Sequence, residues 1–129
     1  MGNRETERTA IDYVMALERT AGREPVDVST AGYRYDIASP PRKIEVKAFG
    51  GSARGMSLPL EERQLAAARE NPETFYLYVV DNVTRPDAEI GVRVLHGEAL
   101  HPVIERAMPS TTYWSTLRAA EYDSAERLP

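Results

Sequence analysis

The 129-residue chain contains no cysteine. That excludes disulfides and any zinc site built on thiolates. Histidine is nearly as scarce: His96 and His101 lie five apart, which fits neither one helical face nor a usual zinc spacing. No apolar run approaches the ~20 residues of a membrane-spanning helix. The phosphate-cradling patterns G-x-x-x-x-G-K-[ST] and G-x-G-x-x-G are missing, so nucleotide hydrolysis would have to come from a partner. Ser39, Ser52 and Ser57 lack the G-x-S-x-G setting of a hydrolase nucleophile. Positive charge is in deficit, with 16 Lys+Arg against 20 Asp+Glu and a net charge of −4. This balance argues against a non-specific nucleic-acid coat protein. It leaves room for a local basic surface, for which Arg34, Arg42, Lys43, Arg54 and Arg63 are candidates. Lysine itself is restricted to Lys43 and Lys47.

What is present is ordinary for a globular chain: 42% hydrophobic and 28% charged residues. One domain over residues 1–118 with a flexible tail at 119–129 is expected. The segment Met1 to Arg8 is charged and carries no signal-peptide pattern, so a cytoplasmic protein is expected. Apolar spacing of Ala10, Ile11, Val14, Leu17 and Ala21 predicts a helix from about Glu5 to Ala21, stopped by Gly22. Strands are expected at Val26–Ser29, Tyr33–Ala38 and Lys43–Phe49. The loop Gly50-Gly51-Ser52-Ala53-Arg54-Gly55 reads as flexible. A helix is expected from Pro59 to about Glu70, ended by Asn71-Pro72, and a doubly buried strand at Phe75–Val80. Further elements are expected at Ile90–Leu95 (strand), Ala99–Ala107 (helix) and Thr111–Leu117 (strand).

The richest stretch is Arg42-Lys43-Ile44-Glu45-Val46-Lys47-Ala48. Alternation along a strand sends Ile44, Val46 and Ala48 one way and Glu45 and Lys47 the other. Upstream, Tyr33, Tyr35 and Ile37 share a face and Asp36 projects from the opposite one, with a turn at Ser39-Pro40-Pro41 between the two runs. Paired as a hairpin, the runs bring Asp36, Glu45 and Lys47 to one edge of a sheet. Two carboxylates can hold a divalent cation, and a lysine beside them can orient a water and stabilise charge building on a phosphate.

This arrangement resembles the PD-(D/E)XK nuclease core, and within it the family of the NO VEIN C-terminal domain. The resemblance runs from about Glu7 to Asp81. It rests on Glu7-x-x-Ala10, Gly22, Val26-x-Val28-Ser29, Gly32-Tyr33-x-x-Asp36-Ile37-x-Ser39, Ile44-Glu45-Val46-Lys47, Glu62-x-x-x-Ala66 and Tyr76-Leu77-Tyr78-Val79-Val80. Tyr35, not proline, precedes Asp36, a position that varies in this superfamily. The resemblance implies an α/β, restriction-endonuclease-like fold: a mixed central sheet flanked by helices, in the order helix–strand–strand–strand–helix–strand plus a C-terminal extension.

It also implies an Mg²⁺- or Mn²⁺-dependent endonuclease acting on DNA in a restriction or genome-defence setting. Asp36, Glu45 and the Val46 carbonyl would be metal ligands, Lys47 the catalytic cation and Glu7 an accessory acid. Glu7 also reads simply as a first-turn glutamate favoured by the helix dipole. Arg34, Lys43, Arg54 and Gln64 are the substrate-contact candidates, although Gln64 reads first as a solvent-facing residue and the loop of Arg54 reads also as a solvated linker. Expected partners are DNA, a helicase or ATPase module of the same system, and a second copy of the chain. The alternative is a catalytically inactive, nuclease-derived module that binds nucleic acid or a partner protein.

Overall fold

The computed structural model describes residues 3–129. The leading helix, α1 (Asn3–Thr20), carries no glycine or proline within it and is rich in strong helix formers. It ends where Gly22 takes a positive φ of 87°, a conformation that a side chain would strain. There the Gly22 N–H donates to the Arg19 carbonyl and the Arg23 N–H to the Glu18 carbonyl, the paired bonds of a Schellman stop. The strands β1 (Val26–Asp27), β2 (Ile37–Ser39), β3 (Arg42–Ala48), β4 (Phe75–Asp81) and β5 (Gly91–Leu95) form one sheet in that order. Only β3 and β4 run parallel, and α2 (Glu62–Glu70) provides the crossover between them. A 3₁₀ turn at Gly97–Ala99, α3 (His101–Glu105) and α4 (Ala119–Ser124) follow.

Alternation along β4 divides the interior in two. Tyr78 and Val80 join Ile37, Ile44 and Val46 against Ala10, Ile11, Val14 and Met15 of α1. Phe75, Leu77 and Val79 face Ala67 and Ala68 of α2 and Leu100 and Ile104 on the other side. The strand is apolar on both faces because both are covered. Mixed sheet, flanking helices and element order agree with the expected restriction-endonuclease-like core.

Several boundaries differ. The helix expected from Pro59 begins at Glu62, because Glu61 is its N-cap, closed by a reciprocal capping box with Gln64. The first strand shortens to Val26–Asp27, since Asp27 turns its carboxylate onto the Ser29 amide and hydroxyl. Arg34 to Asp36 form bends, so the second strand starts only at Ile37. The C-terminal helix at Ala99–Ala107 is split between the 3₁₀ turn and α3. No strand forms at Thr111–Leu117: the run has strand-like composition but no strand pairs with it, and Tyr113 and Trp114 are exposed. The segment from Ala119 contains the short, exposed helix α4. No described helix is long and apolar enough to cross a membrane.

The loop after β3, read as flexible, is tied down. Phe49, Gly50 and Gly51 carbonyls accept from Val83, Thr84 and Asn82 amides, and the Ala53 amide donates to Asp81 Oδ1 at 2.6 Å. Glycine is needed at 50, where a Cβ would stand 2.7 Å from the Thr84 hydroxyl oxygen.

Candidate metal and phosphodiester site

The site grows from the point where β2 gives out beside β3. Register pairs Ile37 with Ile44, yet the Asp36 amide also donates to the Ile44 carbonyl at 2.8 Å. Two residues thus face one, as in a β-bulge, a device that re-aims a side chain and ends pairing. The consequence falls on Asp36. Its Oδ2 takes the place of a backbone acceptor and receives the Val46 N–H at 2.9 Å. A strand residue points its N–H and C=O to the same side, so the Val46 carbonyl also projects past the end of β2, next to Asp36.

Glu45 and Lys47 leave β3 on the face opposite Ile44 and Val46, as alternation requires. Glu45 is 4% exposed, and its Oε2 lies 3.2 Å from Lys47 Nζ. The same ammonium donates to Gln64 Oε1 at 3.2 Å. That oxygen also accepts the Glu61 N–H at 2.9 Å, so the capping box of α2 fixes where Lys47 ends. An ammonium has three donors; two are taken by Glu45 and Gln64, and one remains for the cleft. The cleft has a volume of about 680 Å³, and Glu7, Asp36, Glu45, Lys47 and Gln64 all line it.

The electrostatics follow from burial. Burial raises the Asp36 carboxyl above its ordinary value, against the pull of the Val46 amide and Lys47, and Glu7 adds to the rise. Glu45 is pushed up to about 8, first by burial and then by the charge of Asp36, with Lys47 only partly offsetting them. Two buried acids that resist ionising side by side are acids that a cation would stabilise. The donors are all hard oxygens, and no group of three or more His, Asp or Glu side chains with ligand spacing exists among the described residues. Two carboxylates and a carbonyl, with remaining positions left to water and substrate, suit Mg²⁺ or Mn²⁺. The residues present fit the ion.

Not every candidate converges here. Glu7 is exposed on α1 and reaches the cleft as a charge on its wall. Gln64 is buried, not solvent-facing, and positions Lys47. Arg34 pairs with Glu70 at 3.2 Å, and Lys43 stands over the Tyr35 ring, neither lining the cleft. Arg42 turns to the other face, donating to the Tyr78 hydroxyl at 2.7 Å and stacking over Tyr76. Arg63 donates to the Gly32 and Tyr33 carbonyls. Arg54 lines a separate hollow. The cleft instead recruits Arg4 and Arg8 of α1, which sequence reasoning did not single out. The available signal was helical spacing: Arg8 lies four residues after Arg4, and Glu7 three after it, on the first turns of α1. Arg8 is committed to Asp12 and Asp27.

One expected consequence concerns the metal-free protein. The Glu45 carboxyl titrates near 8 when folded and at its ordinary 4.5 when unfolded. Between those values the unfolded chain releases the proton first, so stability falls as pH rises through the window. In EDTA, melting temperature should decline from about pH 5 to pH 8, and Asp36→Asn should flatten the decline by removing the charge that adds to burial in raising Glu45. A decline of equal steepness in Asp36→Asn would refute the coupling.

An α/β chain with a helix first, a mixed sheet, and an acid at a strand end facing Glu-x-Lys on the next strand has the architecture of the restriction-endonuclease-like, PD-(D/E)XK class. Residues 6–93 match the family model described as Protein NO VEIN, C-terminal, and the chain belongs to that family. The match reaches from α1 into β5, beyond the stretch anticipated from motifs alone. No curated protein and no solved structure matches the chain.

Proposed function

We propose that the protein is an Mg²⁺- or Mn²⁺-dependent endonuclease that hydrolyses phosphodiester bonds in DNA. The observation that carries this reading is the single cleft shared by Asp36, Glu45, the Val46 peptide and Lys47. Asp36, Glu45 and the Val46 carbonyl would hold the ion. When bound, such an ion supplies an acidified water and neutralises the phosphate. The protein's own residues do the rest. Asp36, anchored through Oδ2 by the Val46 amide, would offer its second oxygen to the ion. Lys47, fixed between Glu45 and Gln64, directs its remaining N–H at the attacking water or a phosphoryl oxygen. Water adds at phosphorus and gives up a proton, one P–O ester bond breaks, and the departing oxygen takes up a proton from solvent, so the net change is hydrolysis. A restriction or genome-defence setting, with DNA as the partner, is part of the same proposal.

The test is nicking of supercoiled plasmid in Mg²⁺ and Mn²⁺, beside thermal-shift titration with Mn²⁺. Wild type should nick the plasmid and show a saturable stabilisation. Asp36→Ala should lose both, while His96→Ala, whose imidazole contacts the Glu73 carbonyl and the Tyr76 ring, should keep both. Equal metal responses in wild type and Asp36→Ala would sink the assignment.

A further inference from the structure

Lys47 pairs in register with Val79, and Val79 with Arg93. These three side chains therefore leave the same face of the sheet in one row, and Arg93 stands two strands away from Lys47. Two interstrand spacings amount to roughly 10 Å, the axial rise of about three nucleotides along a DNA strand. Beside Arg93 lies a second hollow of about 400 Å³, lined by Ser52, Arg54, Leu58, Val79, Asp81 and Arg93 among others. Arg54 and Arg93 are both exposed at it. Arg85 packs close by, its guanidinium nitrogen 3.1 Å from where a Cβ on Gly51 would stand. The acid in this group, Asp81, spends Oδ1 on the Ala53 amide. The loop that bears Arg54 is tied to Asp81, Asn82, Val83 and Thr84 by the bonds described above, so Arg54 and Arg85 sit on segments held to each other, while Arg93 is fixed by the pairing of β5 with β4.

We propose that Arg54, Arg85 and Arg93 form a shelf that grips the backbone phosphates of a DNA strand a few nucleotides from the bond cut in the Lys47 cleft. The assignment rests on the reading of that cleft as a phosphodiester site. Guanidinium groups are planar forks matched to phosphate oxygens, and two of them beside one engaged carboxylate, with Arg85 against the neighbouring Gly51, make a local positive surface on an acidic protein. The shared row with Lys47 is what favours the strand that enters the cleft over an acidic protein partner, which would need no such alignment.

The experiment is fluorescence anisotropy with a labelled DNA duplex in EDTA, titrated with NaCl, so that cleavage plays no part in the readout. Arg54→Ala/Arg93→Ala should bind on the order of tenfold more weakly, with the log–log salt slope reduced by about 0.9 for each lost contact. Arg85→Ala should show a smaller loss in the same direction. Arg69→Ala/Arg127→Ala, which removes the same charge from exposed positions elsewhere, should bind like wild type. All variants should melt like wild type, since the substituted side chains are exposed. Wild-type affinity and slope in the Arg54/Arg93 variant, an equal loss in the Arg69/Arg127 control, or no DNA binding by wild type would each overturn the shelf. DNA binding that depends on the shelf, without any metal-dependent cleavage, would overturn the nuclease reading and leave the shelf standing. Cleavage with unchanged binding in the shelf variant would do the reverse.

Discussion

Lys47→Met is expected to fold like the wild type and to cut DNA about 10²-fold more slowly, or worse, by analogy with removal of one preorganised donor to a developing negative charge. Methionine keeps most of the aliphatic stem, so packing against the sheet survives. Gln64 Oε1 retains the Glu61 N–H and the α2 capping box stays closed. Glu45 loses the cation that offsets its burial and its repulsion by Asp36. Its carboxyl therefore shifts further upward and is neutral over a wider pH range, which limits the folding cost of the lost ion pair. That shift gives the variant a second signature. Its Mn²⁺ thermal-shift response should weaken at pH 7 and recover as pH is raised, because higher pH ionises Glu45 again, whereas the lost cleavage should not recover in parallel.

DNA binding in Ca²⁺ should fall only slightly, one phosphate contact being a small part of the whole. In the alternative reading, a non-catalytic module that binds nucleic acid or protein, there is no metal-dependent cleavage for the substitution to remove. Wild type that binds DNA but never nicks any DNA or RNA form in Mg²⁺ or Mn²⁺ would decide for that alternative. Cleavage in Lys47→Met at the wild-type rate would remove Lys47 from the chemistry.

The central hairpin and Glu-x-Lys were legible because they depend on period-two alternation and a turn signal, both local. Asp36 was placed near Glu45 for the same reason, although the device that aims it, a bulge at Ile44, left no trace in composition. Gln64 was harder. Its burial comes from a reciprocal cap with Glu61 and from a lysine 17 residues away, and the Pro59 signal placed the helix start three residues early. Arg34 and Lys43 were chosen for charge alone, and charge does not say where a long side chain settles. Thr111–Leu117 failed for a related reason: strand propensity expresses itself only where a partner strand exists. The apolar spacing of α1 points to a face rotated from the buried one: Met15 and Glu18 are buried, while Leu17 and Ala21 are exposed. A clue was nevertheless present. With Gly22 ending the helix, residues 18 and 23 are the two positions that a Schellman stop brings together, and they are Glu and Arg.

Glu18→Ala should be the most damaging single substitution away from the cleft, costing about 3–5 kcal/mol, the range for breaking a buried ion pair by removing one partner. Glu18 is 2% exposed. Its carboxylate accepts from Arg23 Nε and Nη2, from the Ser39 hydroxyl at 2.9 Å and from the Tyr78 hydroxyl at 2.9 Å. It thereby joins α1, the turn after it, β2 and β4 on the face of the sheet turned away from Glu45. Removal strands the buried Ser39 and Tyr78 donors and leaves Arg23 without its counter-charge, and unmet buried donors are costly. Domains of this size have only about 5–15 kcal/mol in total, so urea unfolding should show a midpoint far below wild type or no cooperative transition.

The pH dependence has a definite sign. Burial alone would raise the Glu18 carboxyl, but the bonds from Arg23, Ser39 and Tyr78 outweigh it and hold the group below its ordinary 4.5. Its contribution is complete above 4.5 and is lost as pH falls through the lower folded value. Wild type should therefore lose stability on acidification below that point, and Glu18→Gln should lose less over the same range. This trend runs opposite to the loss expected from Glu45 as pH rises from about 5 to 8, so the two carboxyls separate in one pH series. In the cycle of Glu18→Gln with Tyr78→Phe the two changes should be non-additive by about 0.5–3 kcal/mol. Additivity there, or a Glu18→Ala penalty within about 0.5 kcal/mol of zero, the range of a featureless surface change, would show that the network does not hold the helix to the sheet.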